Sequence, residues 1–543
     1  MRFIYGSAIC VSLLALGQTA RASYLPEPRL GEDSAYKVVE ISEEEYQNNL
    51  SGNVYKSYAP QADGSLLPQY FQYEINTEKQ YAEIVTKSDK GSGAGEETYV
   101  PGGAGLNNTG QQGNITNVLY KDNQYQFDYT GDEADVYVQG GALFNSGVIG
   151  DKDDNGEFSG VALEADFIGN SLSAQVETQG GLRTQGGALA NKGEIGLIRG
   201  DFIKNSSTGR YAWGGALYND KVGSIAGIEG DFVGNAVVGE SSGGGAIINE
   251  GQMGLLDSDF VANSVQTSSY AAGGAIHNNE ASIGEIKGDF VNNSAVSEEF
   301  GRINGAFGGA MSNQGNVGTI EGNFYGNRAT AQVYASGGAV FNSTGHIDGI
   351  EGNFIGNSAE SQLASAMGGA IYNEDATIGS VSGVFEDNMA KGQLEAAGGA
   401  IYSISNTDEE GGLRLVNAQF YNNSATAADG EAKGGAIYSD NITITAQNGQ
   451  SVFNGNTANG VNNAVYMENL SSKEKAQLNL EAKEKGEIIF DDAIDGDNYD
   501  ITITGDGSGN VVFNNKVDNV SVFSASNGSM FHLGLDGQIN TQD

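Results

Sequence analysis

An all-β, right-handed parallel β-helix is the fold the sequence predicts, and three observations predict it. The tripeptide Gly-Gly-Ala recurs eleven times, with its alanine at positions from Ala104 to Ala436. Interleaved with it, Phe-x-x-Asn recurs ten times, from Phe167 and Asn170 to Phe453 and Asn456, at spacings of 28 to 35 residues. Glycine supplies 82 of 543 residues, whereas none of the five prolines lies beyond Pro101, as expected where nearly every backbone N–H serves a ladder. The unit reads Gly-Gly-Ala-aliphatic-x-Asn, a turn, Ile-Gly-x-Ile-x-Gly, x-Phe-x-x-Asn, and a variable polar loop. Its pieces are three to six residues long, rich in β-branched and aromatic residues and punctuated by Gly, Asn or Asp, so they are read as short strands. One unit cannot bury its own apolar side, but stacked units place like on like at roughly 4.8 Å and share one core.

Each element then takes a place. The residue after Gly-Gly-Ala is Leu143, Leu189, Leu217, Ile247, Ile276, Met311, Val340, Ile371, Ile401 and Ile437 in successive units, which predicts an interior column. The next residue is mixed, including Phe144, Tyr218, His277, Ser312 and Tyr402, and is expected to face outward or to be partly covered. The repeated Phe forms a second interior stack. The asparagines suit left-handed backbone and amide-to-amide bonding, and the paired glycines suit a positive φ or a close backbone approach. Asp201, Asp231, Asp259 and Asp289 precede successive Phe residues, with Asn323 and Asn353 in the same place further on, and are expected to form a solvated acidic row.

Residues 1–22 carry the marks of a secretory signal peptide: Arg2, an apolar run from Phe3 to Leu16, and Ala20-Arg21-Ala22 as a small-x-small cleavage site. The single cysteine, Cys10, lies within that run, so no disulfide is expected in the exported chain. No later stretch is long and apolar enough for a transmembrane helix. Residues 23–100, with four prolines and Glu43-Glu44-Glu45, read as an N-terminal linker and cap; 101–466 as the repeat β-helix; and 467–543, with Ile488-Ile-Phe490 and Val511-Val-Phe513, as a diverged β-helical continuation. With 69 acidic against 27 basic residues and a net charge of −42, the chain gains nothing electrostatically from nucleic acid.

The two repeats, as at Gly215-Ala-Leu217 with Phe232-x-x-Asn235 and at Gly369-Ala-Ile371 with Phe385-x-x-Asn388, resemble the passenger repeats of the chlamydial polymorphic outer membrane proteins. The tail from Gly486 to Asn514 is similar to the stretch that precedes the translocator barrel of autotransporters. The resemblance implies a virulence-associated passenger displayed at the bacterial surface, outer membrane-associated or secreted, often an adhesin, whose partner is a host surface protein or glycan. The sequence lacks a series of ten-residue alternating strands for a translocator barrel, so delivery would need a separate translocator or anchor.

Parallel β-helices also carry polysaccharide lyases and glycosidases, which is the alternative reading. Those reactions need paired carboxylates or an acid cluster with a basic group. Here Arg183, Arg199 and Lys287 stand alone, and His277, His346 and His532 lie far apart, so no catalytic residue is assigned. One stretch, Asp151-Lys-Asp-Asp-Asn-Gly-Glu-Phe158, copies the first eight positions of a calcium loop, with oxygen ligands at Asp151, Asp153, Asn155 and Glu157. Ala162 stands where the bidentate Glu belongs, so the stretch reads as a calcium candidate or as an acidic surface insertion. No other cofactor is expected. The function expected is that of an adhesin or structural stalk, not an enzyme.

Overall fold

The computed structural model describes residues 36–42, 44–45, 54–60, 66–75, 82–84, 89–91, 98–101, 103 and 105–541, apart from 130–135, 177–180, 299–303, 406–411, 470–474 and 527. The expected signal peptide and much of the expected linker lie outside them. Three described strands, Tyr36–Ile41, Val54–Pro60 and Leu66–Ile75, form an antiparallel sheet. Among the described strands from Ala82–Ile84 to Gln538–Thr541 the pairing is parallel, apart from the antiparallel pair Thr457–Ala458 with Val461–Asn462; an isolated antiparallel bridge joins Lys152 to Phe158. The architecture is a right-handed parallel β-helix.

One coil shows how the unit is spent. Leu217–Asn219, Ser224–Glu229, Phe232–Val233 and Ala236–Gly243 follow one another, and Ile247–Asn249 opens the next coil. Across coils Leu217 pairs with Ile247, Ile228 with Leu256 and Phe232 with Phe260, so the repeat in sequence becomes register in space. The predicted interior column is fully buried from Leu143 to Ile437. Beside it, rings from Tyr120 through the repeated Phe to Phe513 stack nearly parallel with centroids 4.6 to 5.6 Å apart. Thirteen such rungs at roughly 4.8 Å give a rod of about 58 Å.

Two asparagine ladders satisfy the polar side of the coils. In one, Asn263 donates from Nδ2 to Asn293 Oδ1 at 3.0 Å and to the Phe232 carbonyl at 2.8 Å, while its own Oδ1 accepts from Asn235. The other runs from Asn108 to Asn373 and ends on the Ser403 hydroxyl. In the Phe-x-x-Asn ladder the left-handed residue is the one before the Asn, as at Lys204, Ala262 and Asn422, and in neither ladder is it the Asn itself. The ladder Asn therefore serves by its amide and not by its backbone conformation.

The two glycines of each pair have different reasons. Gly244 sits at φ +67°, whereas a Cβ on Gly245 would lie 1.9 Å from the Gly274 carbonyl of the next coil.

Candidate binding surface

The Gly-Gly turn folds the end of one coil against the start of the next, and the corner it makes is lined on its outer side by side chains. The residue before the glycines, such as Trp213, Phe307 or Met367, packs beside the residue that follows the core aliphatic. Phe307 and Phe341 meet this way with centroids 4.9 Å apart. This corrects one expectation: the mixed column of Phe144, Tyr218, His277, Ser312 and Tyr402 is buried in the corner, each member at most 9% exposed. Toward the C-terminal coils the column becomes aromatic throughout, with Phe341, Tyr372, Tyr402, Tyr438 and Tyr466 stacked at 4.9 to 5.8 Å.

Carboxylates rim that ladder because of strand geometry. Residues two apart on a strand share a side. The pairs Tyr218 and Asp220, Tyr372 and Glu374, Tyr438 and Asp440, and Tyr466 and Glu468 therefore put an acid beside each phenol, while Asn219, Asn373, Ser439 and Met467 between them turn inward. The Tyr218 hydroxyl donates to Glu250 at 2.8 Å and to Asp220 at 3.3 Å, that of Tyr372 to Glu374, and that of Tyr466 to Asp497 at 2.8 Å. Burial, followed by the charges of Glu374, Glu395, Asp440 and Glu468, drives the Tyr402 phenol far above its ordinary range. Burial also pushes the Asp440 carboxyl up. One cation is seated here: Lys433 Nζ is 3.1 Å from Glu468 and 4.7 Å from the Tyr466 ring centre. At Tyr466 the arrangement holds an ammonium between a phenol ring and a carboxylate, whereas the buried rings before it leave their carboxylates as the accessible groups. Sequence reading missed this surface, although a Tyr-x-acid spacing within the strand was its signal.

The calcium candidate residues lie on an insertion clasped to the sheet. Lys152 bridges to Phe158, and its Nζ reaches Glu194 at 2.5 Å. Asp153, Asn155 and Glu157 come together in one turn, where Asp153 Oδ1 accepts the N–H of Asn155 at 2.8 Å and of Glu157 at 3.0 Å. Backbone donors, first that of Glu157, hold the exposed Asp153 carboxyl below its usual range. Asp151 sits at the base, its N–H bonded to Asn114 Oδ1. Among the described residues no group of three or more His, Cys, Asp or Glu is arranged to hold a metal ion.

The histidines remain apart. His277 is buried, with an unpaired Nδ1, and burial lowers it to about 4. His346 bridges Asp348 and Thr377 on an exposed sheet face. His532 is exposed near the last strands.

The acidic row is the second correction. Asp201, Asp231, Asp259 and Asp289 are 3 to 7% exposed, and Asp166, at 2%, precedes them. Each Oδ1 accepts a backbone N–H from the next coil, Asp231 to Asp201 at 3.0 Å and Asp259 to Asp231 at 2.9 Å, until Asn323 and Asn353 continue the column. The side chain lies along the rod instead of out from it because the next coil offers a donor there. No protein family, curated protein or solved structure matches the chain.

Proposed function

We propose that this chain is an exported passenger displayed at the bacterial surface, acting as an adhesin or structural stalk and making its contacts along the tyrosine–carboxylate corner. The corner carries the reading: Glu374, Asp440 and Glu468 rim it over several coils, above a ring ladder that is buried until it opens at the half-buried Tyr466. Partners that suit it are host surface proteins or glycans bearing exposed cationic groups. A second contact region lies where the loops vary, with Tyr334, Leu363 and Leu394 exposed at 52, 45 and 56% on successive turns and Val461 at 68% two turns further on. No helix of the described residues is long and apolar enough to cross a membrane. The repeats that resemble the polymorphic outer membrane proteins support display, and the reading assigns the protein no catalysis.

The test is binding of the purified chain to immobilised host-matrix proteins and a glycan panel, with calcium and with chelator, alongside protease shaving of intact cells. Saturable binding lost in Glu374→Gln/Asp440→Asn/Glu468→Gln supports the reading. Release of unsaturated uronates or reducing ends from any glycan would replace it with the carbohydrate-active alternative.

A further inference from the structure

The buried aspartate column has no role in contact with partners. Asp166, Asp201, Asp231, Asp259 and Asp289 occupy one place on five successive coils, so neighbouring carboxylates stand about 4.8 Å apart. Every neighbour within the column has the same sign. A Cβ on Gly288 would lie 3.0 Å from Asp259 Oδ1, so glycine backbone packs directly against the carboxylates. Charged groups two residues earlier in these coils face solvent beside the column: Glu164, the pair Arg199–Glu229, Asp257, whose charge reaches Asp231, and the pair Lys287–Glu321. Where the column continues as Asn323, its amide does what a carboxylate cannot: Nδ2 donates to Asp289 Oδ1 at 2.9 Å while the N–H donates to the same oxygen.

We propose that the aspartate column is a pH-responsive brace: Asp231 keeps its proton in the folded rod, bridging its neighbours as the asparagines do, and loss of that proton loosens the coils from 201 to 289. Like charges at this spacing in a desolvated row disfavour full ionisation, and a protonated carboxyl can donate to the neighbouring carboxylate as the Asn323 amide does to Asp289. Burial, then the charges of Asp259 and Asp201, raises the Asp231 carboxyl well above its ordinary value. A raised folded value means that this contribution to stability is full below about 3.8 and is lost as pH rises through the folded value. Acid therefore tightens this part of the rod and alkali loosens it.

The test compares the full chain with Asp231→Asn, and with Asp257→Asn as the exposed control, by thermal melting from pH 5 to pH 9 and by hydrogen exchange of residues 201–289. The wild-type midpoint should fall as pH rises and exchange should quicken in these coils. Asp231→Asn should match wild type at pH 5, exceed it at pH 9 and exchange more slowly there, while Asp257→Asn follows wild type. Infrared difference spectra should show a protonated carboxyl at neutral pH that Asp231→Asn removes. Parallel stability curves for wild type and Asp231→Asn, or no protonated carboxyl at neutral pH, would overturn the proposal. Should Asp231→Asn misfold, Asp259→Asn and the infrared measurement on wild type decide the question.

Discussion

Lys433 holds its ammonium 4.7 Å from the centre of the Tyr466 ring while bonding to Glu468 at 3.1 Å, so the protein itself fills one position of its aromatic and acidic corner with a cation. Such a contact in a half-buried setting contributes about 1 kcal/mol. Lys433→Gln should lower stability by about that amount. It should also strengthen binding of a short oligolysine at low salt severalfold, read by fluorescence polarisation, because it removes the resident competitor. Unchanged or weaker oligolysine binding would show that the corner does not select cations.

His277 is buried and held neutral, with an Nδ1 that finds no partner. Its value is about 4 when folded against an ordinary 6.5, so the stability it lends is full above 6.5 and lost as pH falls toward 4. A shift of that size corresponds to about 3 kcal/mol at most. The column already accepts phenyl rings, as at Phe144 and Phe341, so His277→Phe should fold and flatten the acid limb between pH 6.5 and 4 in urea titrations. An acid limb as steep as that of wild type would show that His277 does not govern it.

Gly245 and Gly356 separate close approach from backbone conformation. A Cβ at Gly356, φ +64°, meets nothing within 4 Å, so Gly356→Ala should cost only about 1–2 kcal/mol. The same change at Gly245 drives a Cβ into the Gly274 carbonyl and should cost more than about 3 kcal/mol. Melting temperatures of the two variants should differ widely; equal losses would mean that the coils can move apart without penalty.

Ala262 adopts φ 53°, where a Cβ is strained. Ala262→Gly should stabilise the protein by about 1 kcal/mol, and a lower melting temperature would contradict that account.

Asn263 satisfies donors and acceptors on both neighbouring coils. Asn263→Leu removes the acceptor of the Asn235 N–H and amide and the donor to the Phe232 carbonyl, at about 1–3 kcal/mol for each orphaned group. The expected result is a fall in urea midpoint larger than for an exposed strand Asn such as Asn107. A fall no larger than for Asn107→Leu would mean that the ladder adds little to stability.

Much of the rod was legible because a repeat turns position in sequence into position in space. The interior aliphatic column, the ring stack, the amide bonding of the asparagines and the two uses of paired glycine all follow from identical residues recurring once per coil. The candidate surface was less legible. Tyr372 and Glu374 look like any exposed strand pair until the Gly-Gly turn brings Met367 and its neighbours alongside and covers the rings.

Parallel stacking, register and the identity of the core columns are all written in the repeats, because only superposed repeats bury these apolar residues. The fate of the polar columns depends instead on the packing of one coil against the next. Asp231 is polar by composition and was expected in water, yet the next coil presents an N–H that draws its carboxyl group along the rod and into burial. Whether a side chain beside a turn faces solvent or a neighbouring strand depends on how sharply the coil bends there, and local pattern carries no measure of that bend.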